Sequence, residues 1–402
     1  MKRATRLAEL PAYPFAGWAR QVEAARKQGL DVIRLDIGNP DLPPPEEVID
    51  ELCSAARRPD SHGYSGYSGI PALREGIASY YERRFGVELD PDADVVPLIG
   101  SKEGIVNLAL AYLDPDDLVL VPDPGYAPYS MGAALAGAQI HRFPLPAERG
   151  YLPDLQAIPA QLAARAAMLW LNYPNNPTGA TADLPFFEEA VAFARGHDLL
   201  LCHDAPYCDV TYGGYVAPSI LQVPGAADVA LEFNALSKTA NMAGWRVGMA
   251  VGNSAALDAL AQVKSNVDSG SFRPVQEAAV RALAAEEDWI TKRNKVYRER
   301  LQIVVDSLQE IGFDAHMPQA TLYVWARLPQ ELLTRKRSGP EDAAAGAAEH
   351  FALSLLEHTG VAVAPGSFFG IQGGSHVRVS VTVPTGRVRE AARRLRSFCA
   401  DG

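Results

Sequence analysis

The chain has 402 residues, 48% of them hydrophobic, with 37 Lys and Arg against 48 Asp and Glu for a net charge of -11 at pH 7. That is the composition of an ordinary globular protein with room for two domains. The acidity and the scatter of Lys and Arg exclude a basic face for nucleic acid, and no apolar run approaches the roughly 20 residues a membrane helix requires.

The start MKRATRLAELP lacks the apolar centre of a secretory signal, so a cytoplasmic location is expected. Residues 1–45 are rich in proline and aromatics and are expected to form an arm packed on a smaller domain. From there the pattern alternates short apolar runs with helix-like stretches. The runs are DVVPLIG at 94, LVLVPDP at 118, QIHRFPL at 139, AAMLWLNYP at 166, LLLCHDAPY at 199, VALEFNALS at 229 and RVGMAVG at 246. Most connections are long enough for a crossover helix, which predicts an α/β domain over residues 46–285 with roughly seven mostly parallel strands. The connection between the last two runs is too short for such a helix, so the final strand is expected to run antiparallel. After Gly270 a long helical region leads to ATLYVWARLP, VAVAPGSFFG, HVRVSVTVP and an Arg-rich terminal helix, a smaller α+β domain over 286–402. The segment TRKRSGPED reads as a solvated loop. Cys53, Cys202, Cys208 and Cys399 have neither zinc-ligand spacing nor the density of a disulfide scaffold.

In an open α/β sheet, ligands bind where strands end, so strand-end residues carry the chemistry. The first run ends in GSKEG, where the amides of Ser101 and Lys102 open a helix and offer an anion site. The second ends in PDPGYAPY, which places Tyr126 where its ring could lie against a planar ligand. NYPNNPTG puts Asn176 in a proline-bracketed turn, and HDAPY brings Asp204 and Tyr207 to the same rim. His203, one residue before Asp204 on a strand, must face the other way. LEFNALSKTANMAGWRVG places Lys238 at the end of a buried strand with Arg246 eight residues on. A lysine so placed loses hydration, its pKa falls from about 10.4, and its amine becomes a nucleophile.

The ordered set GSKEG, PDPGY, NNPTG, DxxY, SKxxxxxGWR and a late RVSV resembles the class I and II aminotransferases of fold type I, which use pyridoxal 5'-phosphate. The resemblance runs from LDIGNPDLPPP to HVRVSVTVP. It implies that Lys238 holds the cofactor covalently and moves the proton at the substrate Cα, and that Asp204 keeps the pyridine nitrogen protonated. It also implies that Tyr207 and Asn176 bond the ring hydroxyl and that Tyr126 stacks on the ring. Ser101, Lys102, Ser237 and Arg246 are implied to cradle the phosphate, with Tyr64, in GYSGYSGIPALR, reaching it from the other subunit of a homodimer. Arg378 matches the arginine that binds the substrate α-carboxylate, Gly38 the turn that closes over it, and Tyr13 an arm aromatic lining the substrate pocket. Two departures stand out: Ala235 removes one phosphate hydroxyl, and Ala240 replaces a common aromatic. Neither touches the reacting groups. The expected substrates are an L-amino acid and a 2-oxo acid, with LL-diaminopimelate and 2-oxoglutarate the best match because LAELPAYPF, GSKEGI, NYPNNPTGA and VKSNVDSGSF look like that branch. For the distal end of such a substrate Lys264, Lys102, Ser269 and Tyr13 are candidates; for an acidic one, Lys264 or Arg273. A broad-specificity aspartate/alanine-type aminotransferase, a C-S β-lyase on the same fold and a regulator without turnover are the alternatives; the last is expected to lose Lys238, Asp204 or Arg378, all present here, or to carry an added DNA-binding module.

Overall fold

Residues 4, 7, 10, 13–334 and 346–400 are described by the computed structural model. After a short strand β1 (Ile33–Leu35), seven strands build the larger sheet: β2 (Val95–Leu98), β3 (Leu118–Asp123), β4 (Gln139–Pro144), β5 (Ala166–Asn172), β6 (Leu200–Asp204), β7 (Ala230–Ala235) and β8 (Gly248–Gly252). Their order is β2-β8-β7-β6-β5-β3-β4. Strands β3 to β7 pair in parallel, and β8 lies antiparallel to both β7 and β2, as the short connection required.

The central strands are apolar throughout because both their faces are covered. Successive residues of β5 alternate sides: Leu169 and Leu171 pack with Phe187, Val191 and Leu201 on one face, Met168 and Trp170 with Ile105, Leu108 and Leu257 on the other. The helix Leu184–His197 starts where the Asp183 side chain accepts the Phe186 N–H at 3.1 Å and where proline occupies its first turn. The edge strand β4 buries only Phe143 and carries Gln139, His141, Arg142 and a terminal proline, which blunts further pairing.

The smaller sheet adds β9 (Asp314–Ala315), β10 (Tyr323–Arg327), β11 (Val361–Pro365) and β12 (His376–Ser380) in the order β1-β11-β12-β10-β9. Here the arm does more than pack. Its IRL stretch, just before DIGNPD, supplies β1, parallel to β11, and its helix Pro14–Lys27 buries Trp18 and Val22 in the core of this sheet. The helix Glu287–Glu310 spans 24 residues, about 36 Å. Its later turns bury Leu301, Val304, Val305 and Leu308 in the same core. Of TRKRSGPED, all but Thr334 lies outside the described residues. Among the described residues no helix is long and apolar enough to cross a membrane, and no group of three or more His, Cys, Asp or Glu could hold a metal. All four cysteines are free thiols, Cys202 and Cys208 buried.

Candidate active site

Lys238 sits in a one-turn helix, Leu236–Thr239, immediately after β7. Its Nζ donates to the carbonyl of Gly38, just past β1, so the two sheets meet at the amine. Burial pushes the Lys238 pKa down to about 7, helped by the like charges of Arg378 and Arg246.

Asp204 closes β6 and is 2% exposed. Its Oδ2 accepts from the Tyr129 hydroxyl at 2.7 Å, whereas the buried Oδ1 has no partner among the described residues. Burial raises its pKa to about 6, against the Tyr129 hydrogen bond and the nearby His203, which lower it. A buried carboxylate with one empty acceptor is costly by itself, and it suits a cationic N–H donor arriving from a ligand. Asn172 fixes the same rim: its Nδ2 donates to the Asp204 carbonyl at 2.6 Å and its Oδ1 accepts the Asn176 N–H at 2.8 Å.

Arg378, on β12, is buried. Its Nη1 donates to Asn176 Oδ1 at 2.7 Å and its Nη2 to the Asp36 carbonyl at 2.6 Å, leaving Nε without a partner. Its guanidinium lies 4.1 Å over the Tyr323 ring and 4.6 Å over that of Phe369. The Tyr323 hydroxyl lies 2.8 Å from that of Tyr207, and a Cβ at Gly38 would stand 1.9 Å from it. Gly38 is therefore glycine because Tyr323 occupies the space a side chain would need.

The anion site has the same economy. Gly100, at φ 77°, precedes the helix Ser101–Tyr112, and a Cβ there would come within 2.1 Å of Arg246 Nη2. The guanidinium thus lies against the helix N-terminus, where backbone N–H groups already favour an anion. Ser237 is in the same turn as Lys238. Tyr126 leads into the helix Ala127–Ala136 and meets Tyr129 edge-on at 5.7 Å. Lys102 Nζ lies 4.3 Å over the Tyr13 ring, joining arm and rim.

A family profile described as aminotransferase class I and II matches residues 30–395. The chain belongs to the class I and II aminotransferases. It is 46% identical over 396 residues to an LL-diaminopimelate aminotransferase of Moorella thermoacetica, with 98% of each chain covered. Among solved structures it is similar to substrate-bound BacF of Bacillus subtilis, at 34% identity and TM-score 0.91 over 99% of this chain and 98% of that one. It is also similar to a probable N-succinyldiaminopimelate aminotransferase of Thermus thermophilus, at 39% identity and TM-score 0.86 over 95% and 99%. This aminotransferase therefore has the fold type I architecture and uses pyridoxal phosphate. The unpartnered Oδ1 of Asp204, the depressed amine of Lys238 and the side-chain-free approach of Arg246 to the helix at Ser101 fit that cofactor.

Two expectations change, those for Lys264 and Arg273. Lys264 is 3% exposed and held by Asp268 at 2.7 Å and Glu103 at 3.5 Å, so it is structural and offers nothing to a substrate. Arg273 is paired with Glu277 at 2.9 Å. Tyr64 is 91% exposed, so it does not pack against its own subunit's site. The sequence analysis singles out neither Tyr129, although it ends the PDPGYAPY run, nor Tyr323, which lies within ATLYVWARLP.

Proposed function

We propose that the aminotransferase moves the amine of LL-diaminopimelate to 2-oxoglutarate. The observation that carries the reaction geometry is a connected set across two sheets: the Lys238 amine on Gly38, and the Arg378 fork on Asn176, whose N–H is held by the same Asn172 that bonds the Asp204 carbonyl. The likeness to diaminopimelate aminotransferases over nearly the whole chain supports the donor.

Pyridoxal phosphate, when bound, supplies the electron sink for a carbanion at the substrate Cα. Asp204, with Oδ1 open, would accept from its ring nitrogen and favour the charged form of that nitrogen. Ser101, Lys102, Ser237 and Arg246 would hold its phosphate, Tyr126 would cover its ring, and Asn176 and Tyr207 would bond its hydroxyl. The Arg378 guanidinium orients the substrate α-carboxylate, its free Nε and planar fork matching two oxygens as no lysine can. Gly38 closes the carbonyl wall opposite. Lys238, largely neutral above pH 7, would take the proton from the substrate Cα as a general base and carry it within the site. For the far end of the donor, Lys102 and Tyr13 form the rim: a cation over an aromatic face, with no carboxylate partner for Lys102 among the described residues.

The active unit in this reading is a homodimer. Tyr64, Tyr67, Val267 and Phe272 are exposed apolar side chains on segments tied together by Ser65 and Gln276, a patch of the kind that marks an interface. Tyr64 then reaches the neighbour's phosphate site. The location is cytoplasmic, and the domains are 46–285 for the cofactor and 286–402, joined by the arm 1–45. A panel of amino donors with 2-oxoglutarate, read as glutamate formed, decides the substrate. LL-diaminopimelate is expected to give the highest kcat/KM; an advantage above about tenfold for aspartate, alanine or an aromatic donor, about 1.4 kcal/mol, overturns it.

A further inference from the structure

The turn that presents Lys238 is only four residues long, and at Ala240 the chain leaves helical geometry. Its last carbonyls have no donor further along a helix, the usual debt of a helix C-terminus. Arg293 meets it. Its Nη1 donates to the carbonyl of Lys238 at 2.9 Å and to that of Thr239, and its Nη2 to the carbonyl of Asp209 at 2.5 Å. Asn294 holds the guanidinium flat, accepting from Nε at 3.1 Å and from Nη2 at 2.9 Å. The Asn294 amide in turn donates to Asp209 at 2.9 Å and Thr211 at 3.3 Å.

A guanidinium only 3% exposed, bonded to neutral oxygens alone, is an expensive group to keep. An apolar residue of similar volume would pack there with less desolvation. What it would not do is join the carbonyl of Lys238 to the loop that follows Asp204 and Tyr207. The helix bearing Arg293, Glu287–Glu310, continues into the core of the sheet that carries Arg378.

We propose that Arg293 is the positioning residue for Lys238: its planar fork locks the lysine turn against the loop after Tyr207 and so aims the amine. This rests on Lys238 being the reacting amine, and the measurements below separate the two ideas. Arg293→Lys keeps a cation but cannot reach three carbonyls in one plane; Arg293→Met removes the donors. In the cofactor-loaded protein, backbone amides of residues 236–242 are expected to exchange with deuterium about tenfold faster or more in either variant. The kcat is expected to fall about tenfold or more while donor KM changes less than about threefold. The kinetic isotope effect with a Cα-deuterated donor rises, because the proton transfer made by Lys238 becomes the slower step. Should neither variant fold, Asn294→Ala loosens the same fork and is expected to show the same changes at about threefold. Unchanged exchange at 236–242 with kcat within about twofold of the parent overturns the proposal. Borohydride reduction of the parent enzyme followed by peptide mapping judges Lys238 separately: a pyridoxyl group elsewhere retires that assignment, while the exchange data still judge the hold of Arg293 on the turn.

Discussion

The Lys238 amine gives the most direct test of how the site works before any cofactor is bound. Its pKa stands at about 7 instead of 10.5, first through burial and then through the like charges of Arg378 and Arg246. That displacement corresponds to about 5 kcal/mol between the charged and neutral forms. At pH 8 roughly 90% of the amine is neutral, against about 0.3% for an ordinary lysine, an advantage of about 300-fold in nucleophile. Pulse acetylation of cofactor-free protein across pH 5 to 10 (roughly), followed by peptide mass spectrometry, reads the midpoint directly. It is expected near 7, and Arg378→Gln is expected to move it upward by removing a like charge. The sign for stability follows. Between about 7 and 10.5 the unfolded chain holds the proton that the folded chain has lost, so cofactor-free stability rises with pH across that window. Lys238→Met lacks this rise. A midpoint above about 9, or one that Arg378→Gln leaves in place, refutes the electrostatic account.

Tyr129→Phe removes the hydrogen bond that Tyr129 donates to the Asp204 carboxylate, a bond that lowers its pKa. The acid limb of kcat/KM is therefore expected to move to higher pH, by up to about one unit, and an unmoved limb counts against the role of Tyr129. Gly38→Ala places a Cβ 1.9 Å from the Tyr323 hydroxyl, so the ring must leave both Tyr207 and Arg378. We expect about 1–3 kcal/mol of lost stability together with a raised donor KM; thermal denaturation and kinetics matching the parent contradict this. Mixing inactive Lys238→Ala chains with chains disabled at Tyr64 should restore part of the activity in hybrids, and an active monomer at assay concentration argues against a shared site.

Much of the site was legible because it is written at strand ends. Each of Asn176, Asp204 and Lys238 follows an apolar run whose hydrophobicity fixes a buried strand, so the polar residue that stops the run must stand at the sheet's rim. The antiparallel β8 was legible from a connection too short to cross over. Lys264 was misread although its partner was in reach: Asp268 lies four residues on, the spacing of a helical ion pair. Arg378 could be assigned only through family likeness, since one arginine on a strand looks like any surface cation.

By itself the sequence determined the order of strands along the chain and the chemical groups that end them, because periodicity and turn composition are local properties. Tertiary structure alone decided which of those groups are tuned, and by what. Tyr129 reaches Asp204 across 75 residues, Tyr207 meets Tyr323 across 116, and Arg293 caps the lysine turn from 55 residues away. Burial sets the proton affinities of Asp204 and Lys238, adjusted by Tyr129 at the first and by Arg378 and Arg246 at the second, and both effects arise only where separately folded elements close on one another.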